Sequence, residues 1–63
     1  MNMSASKYGG MTVNERLYLA GLDDKFYKAV EEKDIAKATA ILKEVELTEA
    51  SINPILESFG LHR

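Results

Sequence analysis

The chain has 63 residues, of which 29% are charged, with a formal net charge of −2 and no cysteine. That length allows one small domain, near the lower limit at which a core holds together without a staple. The missing cysteine excludes disulfides, thiolate metal ligands and a thiol nucleophile, and the slightly acidic balance argues against an electrostatic nucleic-acid binder, which normally carries a basic excess.

Residues 1–10 include Ser4, Ala5, Ser6, Gly9 and Gly10 and little apolar material. Residues 1–11 are therefore expected to form a flexible N-terminal segment ahead of a single helical domain at residues 12–63. Met11 could serve as an alternative start, which would make residues 1–10 dispensable. This segment has no apolar run of signal-peptide length, and nothing in the chain approaches the roughly 20 apolar residues that span a bilayer.

Thr12 and Glu15 form a T-x-x-E capping box, which predicts a helix start at Thr12. Val13, Leu17 and Ala20 then make one apolar stripe. At Gly21 two readings compete. The helix can run through at a cost of about 1 kcal/mol against alanine. Alternatively, Gly21 closes it in the left-handed conformation, Leu22 makes the apolar contact beyond, and Asp23 caps the next helix. Periodicity favours the break. At roughly 100° per residue, Leu22, Phe26, Ala29 and Val30 lie nearly opposite the first stripe, and a bend turns both toward one core.

The second predicted helix covers residues 24–32. Asp34 is the predicted N-cap of the third, whose stripe is Ala38, Ile41, Leu42 and Val45. The mixed charges of Lys28, Glu31, Glu32, Lys33 and Lys37 read as a solvated face. Ile52, Ile55, Leu56 and Phe59 repeat the same spacing in a fourth helix, so residues 34–61 write an α-hairpin. Pro54 would sit too deep if Thr48 capped this last helix. Ser51 as the cap places Pro54 at N3, where the amide is free. Gly60 and Leu61 fit a Schellman-type closure touching Leu56.

Residues for catalysis are scarce. His62, two positions from Gly60, has no neighbour in the sequence to orient it as a base or metal ligand. Asp23 and Asp24 diverge by about 100° on a helix, and no EF-hand, P-loop or nucleophile-elbow pattern occurs. The chain is expected not to be an enzyme and to need no cofactor or metal, and no small-molecule substrate is evident. The hairpin has the outline of a helix-turn-helix, but residues 52–59 contain no lysine or arginine to meet phosphate or base. Interaction signals are better. Tyr18 and Tyr27 fall outside their stripes, Leu19 is off the first stripe, and Arg16 lies near Tyr18. Tyrosine and arginine are enriched at protein interfaces. The competing reading is that each tyrosine half-covers a small core.

The run Asn14, Glu15, Arg16, Leu17, Tyr18, then Gly21, Leu22, Phe26, Ala29, Asp34, Ile41, Leu42, Val45 and Leu47 resembles short bacterial helical proteins with an N-E-R-L-[FY] … G-L pattern and no assigned activity. The resemblance covers residues 12–61 and implies a bacterial cytoplasmic setting.

The expected fold is all-α, a small bundle of three or four short helices with a C-terminal α-hairpin. The expected role is a non-catalytic protein-interaction module, self-associating or docking on a larger bacterial protein through Arg16, Tyr18, Leu19 and Tyr27. A small regulatory factor (a transcriptional accessory or antitoxin-like protein) is the alternative, and an enzyme or metal protein ranks last.

Overall fold

Thr12 starts the first helix through the reciprocal bonding that its spacing to Glu15 predicts. Its Oγ1 accepts from the Glu15 amide at 3.2 Å, and Glu15 Oε1 accepts from the Thr12 amide at 2.9 Å. In the computed structural model, which describes residues 7–62, four helices follow: α1 (Val13–Ala20), α2 (Asp23–Glu31), α3 (Ile35–Glu44) and α4 (Glu49–Ser58). No strand occurs among the described residues. The fold is a small all-α bundle. α2 packs on both α1 and α3, and α3 packs on α4 as the C-terminal hairpin.

The chain breaks at Gly21, which takes φ 70° and ψ 27°. Only glycine enters this left-handed region without steric cost. The break turns the stripes of α1 and α2 toward one core, with Leu17 and Phe26 both fully buried. Two helix starts differ from expectation. α2 begins at Asp23 behind Leu22, so Asp23 is not the cap but joins Asp24 in the first turn, where carboxylates meet the positive end of the helix dipole. α4 begins at Glu49 behind Thr48, not at Ser51. The Ser51 and Ile52 amides both donate to the Thr48 carbonyl, at 2.9 and 2.8 Å. Pro54 therefore lies inside α4. The carbonyl that loses a partner belongs to Ala50, an exposed residue, where water can replace the missing amide.

All four helices end in the same hydrogen-bonded closure. A left-handed residue donates its amide three residues back, and the next residue donates five back: Gly21 to Tyr18 with Leu22 to Leu17, Lys33 to Val30 with Asp34 to Ala29, Glu46 to Lys43 with Leu47 to Leu42, and Gly60 to Glu57 with Leu61 to Leu56. At two of these closures the left-handed position is held by a residue with a side chain, Lys33 at φ 57° and Glu46 at φ 66°. Both are exposed. A Cβ in this region costs about 1–2 kcal/mol, offset in part by the extra freedom glycine gives the unfolded chain. Lys33→Gly and Glu46→Gly are each expected to raise stability by about 0.5–1 kcal/mol. Urea unfolding midpoints measure this, and a loss at either site would contradict the strain assigned there.

The core is continuous. Leu17, Phe26, Leu42, Val45, Ile52 and Leu56 are the largest fully buried side chains, with Ala29, Ala38, Ile41 and Leu61 between them. Three residues depart from the sequence reading. Ala20, expected on the apolar stripe of α1, is exposed at the open end of that helix. Phe59, expected on the core stripe of α4, is 41% exposed, because it follows the last turn of that helix. Tyr8, expected in a flexible segment, is 4% exposed and belongs to the core. The Met11 amide donates to the Tyr8 carbonyl at 3.0 Å, and Gly10 turns the chain at φ 78°. Residues 7–11 are thus a folded strap, and residues 1–6 of the expected flexible segment lie outside the described residues.

Candidate interaction surface

α1 buries one side only. Leu17 points into the core, and Leu19, about 200° further round the helix, points away from it. Tyr18 is 78% exposed and Leu19 53% exposed. Ala20 and Gly21 continue this surface, so four successive uncharged residues lie open to solvent at the end of α1. Arg16 and Asp23 are the nearest charged residues on either side in the sequence.

A second aromatic group stands where α2 meets the end of α4. Tyr27 and Phe59 both contact the buried ring of Phe26 edge-to-face, with centroids at 5.6 and 5.5 Å, and lie 6.3 Å from each other. The Tyr27 hydroxyl donates to Asn14 Oδ1 at 2.7 Å. This bond ties α2 to the side of α1 that carries Asn14 and, one turn later, Tyr18. Tyr27 is therefore a half-exposed aromatic that also braces two helices, while Tyr18 is the more freely presented ring.

Arg16 sits elsewhere. Its Nη1 donates to the Val45 carbonyl at 2.8 Å and approaches the Glu46 carbonyl at 3.5 Å, while Nε reaches the Met11 carbonyl at 3.5 Å. Its guanidinium also lies 5.8 Å from the centre of the Tyr8 ring. The cation thus meets the negative end of the α3 dipole and links the strap, α1 and the α3–α4 turn. The structure gives Arg16 this bridging place, on the side of α1 away from Tyr18.

Of the proposed surface residues, then, Tyr18, Leu19 and Tyr27 are open to solvent, and Arg16 is turned inward to the backbone. Phe59 joins Tyr27, a place its position on the apolar stripe did not indicate. The nearest signal in the sequence is its neighbour Gly60, which ends the helix and leaves Phe59 at the rim.

Among the described residues, no group of three or more His, Cys, Asp or Glu side chains converges as a metal site would require. A hollow of about 160 Å³ beside Asn53, Leu56, Glu57 and Leu61 is smaller than the roughly 300–1,000 Å³ usual for small-molecule sites. Among the described residues, no helix is long and apolar enough to cross a membrane. No family model, curated protein or solved structure matches the chain.

Proposed function

We propose that this protein is a non-catalytic interaction module that docks on a larger bacterial protein through the outer face of α1, in the cytoplasm. The observation that carries the reading is the open, uncharged end of α1, with Tyr18 78% and Leu19 53% exposed. In so small a fold, apolar area is scarce and most of it is needed in the core. A tyrosine and a leucine left side by side in water contribute little to stability, yet offer a partner a large contact area at low entropic cost. Tyr27 and Phe59 would form the flank of the contact. The resemblance carried by Asn14 to Tyr18, and a chain without cysteine, support the bacterial cytoplasmic setting.

Two measurements on one pair of variants test the reading. Tyr18→Ala and Leu19→Ala are expected to change unfolding free energy by no more than about 0.5 kcal/mol each, as exposed substitutions do. A partner captured from the host and then reconstituted from purified components is expected to bind the double variant about 30-fold or more weakly, the size of effect that hot-spot residues show. A large fall in melting temperature for Tyr18→Ala would make Tyr18 part of the core. Undiminished partner binding would remove the face from the contact.

A further inference from the structure

The exposed rings of this fold are bordered by carboxylates rather than by cations. Tyr27 is 44% exposed on α2. At about 100° per residue, Asp23 and Glu31 lie about 40° from Tyr27 on the helix surface and Asp24 about 60°, each one turn away. Lys28 and Lys25 lie about 100° and 160° round the helix from Tyr27. Asp24 and Glu31 are exposed and Asp23 is half-buried. The ion pair among the described residues joins Lys43 to Glu49 at 3.1 Å, so none of these three carboxylates is paired with a cation. The same holds on α1. Glu15 is exposed and precedes Tyr18 and Leu19 by one turn, on their side of the helix. Arg16, the cation of that helix, donates to the Val45 carbonyl at 2.8 Å and is turned away. The bond from the Tyr27 hydroxyl to Asn14 joins the two surfaces, and Phe59, 41% exposed and 6.3 Å from the Tyr27 ring, extends them to the end of α4.

We propose that the partner docked on this surface is a protein segment that presents arginines beside apolar side chains. The inference rests on the α1 docking reading and names the chemistry of its partner. Apolar side chains of the segment meet Tyr18, Leu19 and Phe59. Its guanidinium groups reach the carboxylates that border the rings and stack on the exposed rings themselves, which an ammonium does less well. A second copy of the chain is a poor occupant. A two-fold contact sets the same patch on both sides. It would bring Glu15, Asp23 and Glu31 of one copy against those of the other, and like charges across an interface oppose association. The phosphates of a nucleic acid are opposed by the same carboxylates.

The test uses the full chain labelled with ¹⁵N and three synthetic amphipathic helical peptides. All share one leucine stripe, and its flanks carry arginine, glutamine or glutamate. The arginine peptide is expected to shift the amide signals of Tyr18, Leu19 and Tyr27. It should bind about 10-fold more tightly than the glutamine peptide at low salt, an advantage that shrinks as salt rises. Glu31→Lys and Glu32→Lys change the net charge equally, but Glu32 lies about 140° from Tyr27 on α2. Glu31→Lys is expected to weaken the arginine peptide about 10-fold and to tighten the glutamate peptide, whereas Glu32→Lys should change either by about twofold or less. Both lysines fall at the C-terminal end of α2, where a cation suits the helix dipole, so both variants should keep the wild-type circular dichroism. Equal weakening by the two reversals would reduce the effect to net charge and overturn the proposal. Equal binding of the arginine and glutamine peptides at Tyr18, Leu19 and Tyr27 would overturn it while leaving the α1 docking face in place. Unmoved Tyr18 and Leu19 signals with all three peptides would remove that face and the proposal with it. The same shifts on concentrating the protein alone would give the face to a second copy and overturn the basic partner.

Discussion

Phe26→Ala is expected to destabilise the protein by about 3–5 kcal/mol, roughly a third or more of its total stability. A domain of this length has a total stability of roughly 3–9 kcal/mol, at about 0.05–0.15 kcal/mol per residue. Phe26 is fully buried and belongs to α2, the helix that packs on both α1 and α3. Its ring also meets Phe59 edge-to-face at 5.5 Å, which ties α2 to the end of α4. Truncation therefore removes area from the middle of the core and loosens two contacts between helices at once. Phe59→Ala is the control. Its ring is 41% exposed, so it should cost about 1–2 kcal/mol, in keeping with a partly buried aromatic. Calorimetric or urea unfolding measures both. Equal losses at the two positions would show that the core is not centred on Phe26.

Arg16→Met is expected to cost about 2–3 kcal/mol, an effect out of proportion to a half-buried cation near the surface. Methionine keeps the stem that packs against the core and deletes the donors. The Val45 carbonyl, which accepts from Nη1 at 2.8 Å, would then lose a charge-assisted bond at the end of α3. Hydrogen bonds to charged groups contribute roughly 1.5–3 kcal/mol, and a cation at a helix C-terminus adds up to about 2 kcal/mol in partly buried settings. Arg16→Lys should recover less than half of the loss, because an ammonium cannot span Met11 and Val45 with one planar fork. Urea midpoints at unchanged m-value measure the loss. A methionine variant within about 0.5 kcal/mol of wild type would reduce the guanidinium to an ordinary exposed group.

Much of the fold was legible because its signals are local. The Thr12–Glu15 box, the Asp34 cap on Lys37 and the turn at Gly21 each involve partners three to five residues apart, which residue identity alone can announce. The stripes through Leu17, Phe26, Leu42 and Leu56 followed from period alone. What escaped was tertiary or carried no signature. Arg16 bonds to backbone carbonyls, one of them 29 residues away, and a carbonyl is the same whatever residue bears it. Tyr8 is the one aromatic residue of positions 1–11, and composition weighed the segment rather than its ring. Lys33 and Glu46 adopt a glycine-like conformation under the pull of the bonds around them, with nothing in their chemistry to show it. The α1 surface was partly readable, since Tyr18 and Leu19 lie off the stripe. Whether Arg16 faced solvent or backbone was decided by how α3 ends.

The repeated closure of every helix has a consequence for the speed of folding. Each helix runs directly into a turn tied by two backbone bonds, and after each of the first three the next helix starts within a few residues. Neighbouring helices therefore meet without a long stretch of chain being ordered first, and the entropic cost of loop closure is small. Helical chains dominated by such near-neighbour contacts relax in about microseconds to milliseconds. The ties from Arg16 to Val45 and from Phe26 to Phe59 join parts of the bundle that are not consecutive in the chain, so no single turn sets them side by side.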